Sequence, residues 1–168
     1  QEKDGIIERV NEDNRSEVGK VHYIPHHAVV RRDKETSKMR VVYDASSNSP
    51  SLNDQLEKGP CMIPLLVDIL VRFRSYRVAL ISDIQQAYLK VEVNEDERDF
   101  LRFLWIQNVE SEAPKLVTYR FTRVMFGMGP SQFLLAVVIL KHLKKYSDDT
   151  DFIQRFLRNL YVDDATSG

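Results

Sequence analysis

The chain has 168 residues, 43% of them hydrophobic and 29% charged, enough to bury a core without covalent staples. A net charge of −1 excludes a uniformly basic nucleic-acid binder while leaving room for a local basic groove beside an acidic site. The single cysteine, Cys61, excludes an internal disulfide framework and suits a reducing compartment, and no apolar run approaches the roughly 18 residues of a membrane-spanning helix.

The start, Gln1-Glu2-Lys3-Asp4, is no signal peptide, and its lack of Met leads us to expect a segment of a longer polypeptide. Residues 1 to 20 are polar, with a short helix or strand expected around Ile6-Ile7 and a loop after it. Val21 to Pro25 and Ala28 to Val30 read as strand, residues 31 to 38 as a turn, and Met39 to Asp44 as a second strand, together an antiparallel hairpin. Lys20, Arg31, Arg32, Lys34, Lys38 and Arg40 make this the most basic stretch, either a solvated face or a finger that grips phosphate. His26 and His27 are adjacent on a strand and point to opposite faces, which argues against a shared ion.

Residues 45 to 64 read as loop with a helical turn at Leu52 to Leu56, and Leu65 to Arg74 carries the apolar spacing of an amphipathic helix. Arg77 to Ile84 is a continuous apolar run, the pattern of a buried central strand, and it ends at Asp83. Leu89 to Val93 alternates as a strand does, Asn94 caps a helical turn, and Phe100 to Ile106 pairs with Leu116 to Phe121 across a polar turn; Trp105 is read as core and not as a stacking platform. Phe126-Gly127-Met128-Gly129-Pro130 bends into the longest helix, Gln132 to about Tyr146. Gly127 and Gly129 either make this turn or let backbone approach a flat substrate. Asp148, Asp149 and Asp151 serve the start of a further helix, Phe152 to Arg158.

Asn159-Leu160-Tyr161-Val162 then runs into Asp163-Asp164, two carboxylates where a strand should continue, which places them at the tip of a tight hairpin. An Asp-rich surface turn explains that pair alone, and a cap of the following turn explains Asp83 alone. Together, one carboxylate closing a strand and two on a hairpin tip suit two divalent cations roughly 3.5–4 Å apart, clamping the attacking and leaving oxygens of a phosphoryl transfer. Oxygen-only ligands point to Mg²⁺.

Ser82-Asp83-Ile84-Gln85-Gln86-Ala87-Tyr88, then Phe126-Gly127-Met128, then Tyr161-Val162-Asp163-Asp164 resemble motifs A, B and C of reverse transcriptases, in order. Tyr23 to Val30, Lys38 to Ser46 and Ser51 to Leu56 resemble more narrowly the fingers of BEL/Pao-type LTR-retrotransposon polymerases, so the likeness covers the chain from about Gly19 onward. It departs from relatives at Gln132, where Pro is common, and from retroviral enzymes at Gln86 and Phe126.

The resemblance implies an α+β fold: a palm of antiparallel sheet backed by helices with a ferredoxin-like core, plus a fingers subdomain, the thumb being absent. It implies one partial domain over residues 1–168, with about 1–76 mainly fingers, 77–99 palm, 100–125 fingers and palm, and 126–168 palm. The implied activity is RNA- and DNA-templated DNA synthesis using two Mg²⁺ ions, or Mn²⁺ in their place. Asp83, Asp163 and Asp164 would be the catalytic metal ligands, with the Ile84 carbonyl a further metal contact. Lys38 and Arg40, with Arg32 a weaker candidate, would grip the dNTP triphosphate; Tyr88 would exclude a ribose 2′-hydroxyl, and Phe126 and Gly127 would shape the nucleotide pocket. Tyr161 and Val162 would lie beside the primer end. Implied partners are RNA template, DNA primer and product, dNTPs, and the rest of a Pol polyprotein (thumb, RNase H, protease, integrase), with no membrane. The implied location is a cytoplasmic virus-like particle with later nuclear access, and the 168 residues alone are expected to polymerise weakly or not at all. Two alternatives share these residues: an inactive or co-opted module that binds RNA or protein, and another Mg²⁺-dependent palm nucleotidyl transferase.

Overall fold

The computed structural model describes residues 1–11, 20–30 and 39–167. In chain order the elements are β1 (Ile7–Arg9), β2 (His26–Val30), β3 (Met39–Tyr43), α1 (Leu52–Gln55), α2 (Leu66–Arg74), β4 (Leu80–Asp83), a 3₁₀ turn at Ala87–Lys90 and a longer one at Glu95–Leu101. They continue with β5 (Arg102–Gln107), β6 (Lys115–Phe121), α3 (Ser131–Tyr146), α4 (Thr150–Arg158), β7 (Leu160–Tyr161) and β8 (Asp164–Ser167). The class is mixed α and β with small antiparallel sheets, and no helix among the described residues is long and apolar enough to cross a membrane. The chain divides into two compact units, residues 1–56 with 92–128 and residues 57–91 with 129–168.

The first unit contains the sheet β1-β6-β5 and the hairpin β2–β3, all antiparallel. The expected hairpin forms with His26 opposite Tyr43 and Val30 opposite Met39, and its turn at 31–38 lies outside the described residues. Rings from both elements interlock: Phe103, 1% exposed, lies 5.0 Å edge-on from Tyr43 and 5.8 Å, nearly parallel, from Tyr119. Beside this apolar centre, charges are matched closely. Arg120 donates from Nε to Glu8 at 2.7 Å and from a terminal nitrogen to Asp99 at 2.8 Å, while Arg102 reaches Asp99 at 2.9 Å and Arg98 reaches Glu8 at 3.4 Å. Burial opposes the Arg120 charge, but these carboxylates outweigh it and its pKa rises. The helical turn α1 forms as expected, closed by a capping box in which the Ser51 side chain accepts from Asp54 N–H and the Asp54 carboxylate accepts from Ser51 N–H.

The second unit contains the sheet β4-β8-β7 with helices α2, α3 and α4. Arg72 of α2 donates to the Asn159 side-chain oxygen at 3.1 Å and to the Arg158 carbonyl, fastening the helix to the start of β7. α3 and α4 form where periodicity and caps place them, with the Asp149 side chain accepting from Phe152 N–H at 2.9 Å.

Three expectations fail. The apolar run ending at Asp83 is not a buried central strand: β4 lies at the edge of its sheet, with Leu80 61% and Ile81 69% exposed. Leu89 to Val93 alternates without becoming a strand; Ala87–Lys90 winds as a 3₁₀ turn and only Glu92 bridges, to Arg123. Trp105 is not core, being 39% exposed.

Candidate functional site

β7 and β8 form a tight hairpin in which Tyr161 pairs with Asp164 and Val162-Asp163 is the connection. The tip therefore carries Val162 and Asp163, and Asp164 already belongs to β8. Val162 has φ 60° while Asp163 has no positive φ, the pattern of a II′ connection, whose first central position normally takes glycine. A β-branched residue there is strained, by about 1–3 kcal/mol. The turn is held from the far side as well, because Ile84 N–H donates to the Asp163 carbonyl at 2.9 Å.

That bond also fixes how the aspartates meet. Asp83 and Asp164 are register partners, and a bond from the residue after Asp83 to the residue before Asp164 makes them a non-hydrogen-bonded pair. In such pairs the Cα atoms approach to roughly 4.5 Å and the side chains share one face, the arrangement in which like charges repel most across a sheet. Asp83 and Asp164 are exposed and Asp163 is half-buried. The Ile84 carbonyl accepts from Ala87 N–H at 3.1 Å, leaving its second lone pair.

Tyr88 stands in the 3₁₀ turn that follows, only 7% exposed, after Gln86 has taken a left-handed backbone at φ 55° and ψ 39°. Burial raises the Tyr88 pKa and the Asp163 charge raises it further, so the phenol is neutral and lies within reach of the Asp163 field.

The second unit thus brings together seven of the sequence-predicted residues: Asp83, Ile84, Tyr88, Tyr161, Val162, Asp163 and Asp164. The oxygen-only donor set fits a hard cation such as Mg²⁺. Among the described residues, no three acidic, histidine or cysteine side chains converge into a ready-made metal cage.

Arg40, Phe126 and Gly127 belong to the first unit. Arg40 pairs with Val29 on β3, and Arg40 and Phe126 line one cleft. Gly127 has φ 86° and nothing nearer than 4.0 Å to a built Cβ, so its backbone angle and not crowding calls for glycine. Asn53 was missed by sequence reasoning: its side-chain amide donates to the Gly127 carbonyl and to the Ser46 hydroxyl, both at 2.8 Å. An asparagine inside a capped turn gives no sign that it reaches a residue 74 positions away. Lys38 and Arg32 lie outside the described residues.

The chain matches no protein-family model and no curated protein sequence.

Proposed function

We propose that this chain is the fingers and palm of a reverse transcriptase of the BEL/Pao LTR-retrotransposon type, its ferredoxin-like palm core built on β4, β7 and β8. The observation that carries the proposal is the Asp83–Asp164 pair, two carboxylates face to face across a sheet with a third on a strained turn beside them. Repulsion and strain at one spot have a physical purpose if cations bind between the carboxylates. Support also comes from the order of the three motifs along the sequence.

In this reading Asp83, Asp163 and Asp164 hold two Mg²⁺ ions, with the free lone pair of the Ile84 carbonyl as a further ligand. When bound, the metals neutralise charge developing on the α-phosphate as the primer 3′-hydroxyl displaces pyrophosphate. The residues themselves position the reactants. The Tyr88 ring, fixed by burial, underlies the sugar and excludes a 2′-hydroxyl; Arg40 and Lys38 hold the triphosphate; Phe126 and the Gly127 backbone shape the nucleotide pocket. Tyr161 and Val162 border the primer end, and the Ile84–Asp163 bond keeps their turn in place. RNA template, DNA primer and the remaining Pol polyprotein would be the partners, in a cytoplasmic particle with nuclear access for the product.

The test is template-directed dNTP incorporation by a version extended through a thumb, with Asp163→Asn as control and rNTPs as competing substrate. Incorporation that depends on Asp163 and prefers dNTPs is expected. Equal activity in the mutant would sink the metal-site assignment, and loss of dNTP preference would remove the role given to Tyr88.

A further inference from the structure

The β7–β8 hairpin that carries Asp163 and Asp164 is weakly built for what it bears. It has two residue pairs, Leu160 with Ala165 and Tyr161 with Asp164, and of residues 160 to 167 Leu160 alone is buried. Against that stand the left-handed backbone of Val162 and the carboxylate opposition across β4 and β8, both unfavourable. Strain of this kind persists only where the surroundings over-determine the geometry, so the hold must act at the base of the hairpin.

That base is Asn159. Its carbonyl accepts from the Thr166 N–H at 2.9 Å and from the Thr166 hydroxyl at 3.1 Å, which closes the hairpin, and Thr166 pairs in turn with Ile81 of β4. Its side-chain oxygen accepts from Arg72 Nε at 3.1 Å, and a terminal nitrogen of the same guanidinium donates to the carbonyl of Arg158, the last residue of α4. A cation there also meets the negative end of the α4 dipole. Arg72 is half-buried and pairs with no carboxylate among the described residues, so its fork is committed to the junction where α4 turns into β7. A planar fork holds two acceptors at a fixed mutual angle, whereas an ammonium is a point charge without that constraint. Asp163 lies four residues beyond Asn159, roughly 13 Å of extended chain, so a tilt of about 5° at the junction displaces it by about 1 Å.

We infer that Arg72 is a positioning residue of the aspartate hairpin, its fork setting the angle at which β7 leaves α4 and thereby where Asp163 and Asp164 stand against Asp83. The consequence for cations rests on the proposed two-metal reading; the mechanical part does not. Misplacing a reacting group by about 1 Å costs on the order of 100-fold in rate, and partners that orient metal ligands are worth about 10- to 100-fold in affinity.

Two variants test this in the full chain, Arg72→Ala and Arg72→Lys, the second keeping the charge and the helix propensity while losing the fork. Hydrogen exchange is read at the Thr166 amide, bonded to Asn159, and at the Ile84 amide, bonded to Asp163, with the amides of α3 as reference. Both variants should exchange at least about tenfold faster at Thr166 and Ile84 and unchanged in α3, the mark of local opening. Mn²⁺ affinity, followed by the paramagnetic resonance of the free ion, should weaken about tenfold in both. In a thumb-extended version kcat should fall by a similar factor with the KM for dNTP held, since Arg72 donates to none of the residues assigned to the nucleotide. Faster exchange spread equally over α3 would reduce Arg72 to a general stabilising contact, and parent-like exchange and Mn²⁺ binding in Arg72→Lys would show that charge without the fork suffices; either result overturns the inference. Asp163→Asn supplies the separate check: if it leaves Mn²⁺ binding intact, the two-metal reading fails and the exchange rates alone decide the role of Arg72.

Discussion

In the first unit the carboxylates of Glu8, Glu92 and Asp99 each face an arginine; in the second, Asp83 and Asp164 face one another. The two arrangements obey the same electrostatics with opposite sign. Arginines held at 2.7 to 3.0 Å from their partners fix β1, β6 and the Glu95–Leu101 turn to each other, and nothing further is needed to explain those charges. A repelling pair beside a strained residue is unfavourable to the fold, and in the proposed reading its explanation is the cations it would hold. Stability and function can therefore be separated by substitution, and each change below tests that separation.

The largest effect is expected at Asp83. Asp83→Asn should lower template-directed incorporation more than about 100-fold, since groups that only orient metal ligands already cost 10- to 100-fold. The melting temperature should hold or rise as the repulsion disappears. A fall in both would make Asp83 a structural charge of the same kind as Glu8 and Asp99 in the first unit. Gly59→Ala comes next: Gly59 has φ +71°, and an added Cβ would lie 2.5 Å from the Phe133 ring, for a loss of about 2–4 kcal/mol in urea unfolding. Arg120→Ala should lose about 1.5–3 kcal/mol, because Glu8 and Asp99 each give up a hydrogen bond to a charged group.

Smaller effects sharpen the contrast. Val162→Gly should raise stability by about 1 kcal/mol, read from the urea midpoint, by relieving positive-φ strain. Tyr43 sharpens it at high pH. Its folded pKa of about 12 exceeds the ordinary value near 10, so its contribution is intact below about pH 10 and lost as the pH rises through 12. Tyr43→Phe should flatten the loss of stability over that window, measured against the parent chain.

Local signals carried far. The β2–β3 hairpin, α1, α3 and the Asp149 cap follow from alternation, helical period and capping chemistry, all of which act within a few residues. The three aspartates were legible for the same reason, as charges interrupting apolar strands. What failed depended on neighbours distant in sequence. An apolar run reports that a strand can be buried, yet whether β4 is central or at an edge depends on what pairs beyond it. Trp105 alternates as a core residue should, but it faces a cleft that only the meeting of β2–β3 with β5 creates. Asn53 and Gly127 could not be linked without the fold. The Asp83–Asp164 opposition is intermediate: order along the chain suggested proximity, and only the register gave the non-hydrogen-bonded pairing.

The edge position of β4 bears on how this protein behaves in a tube. Leu80 and Ile81 are exposed on a strand whose outer backbone pairs with no described strand, and Leu80–Asp83 contains no lysine or proline of the kind that discourages strand-to-strand association. α2 adds Val67 and Val71 to the same unit's exposed apolar surface. Concentrated solutions should therefore self-associate through stacked edges, and light scattering should fall when Ile81 is replaced by lysine. Dilute, cold handling follows from the strand that also carries Asp83.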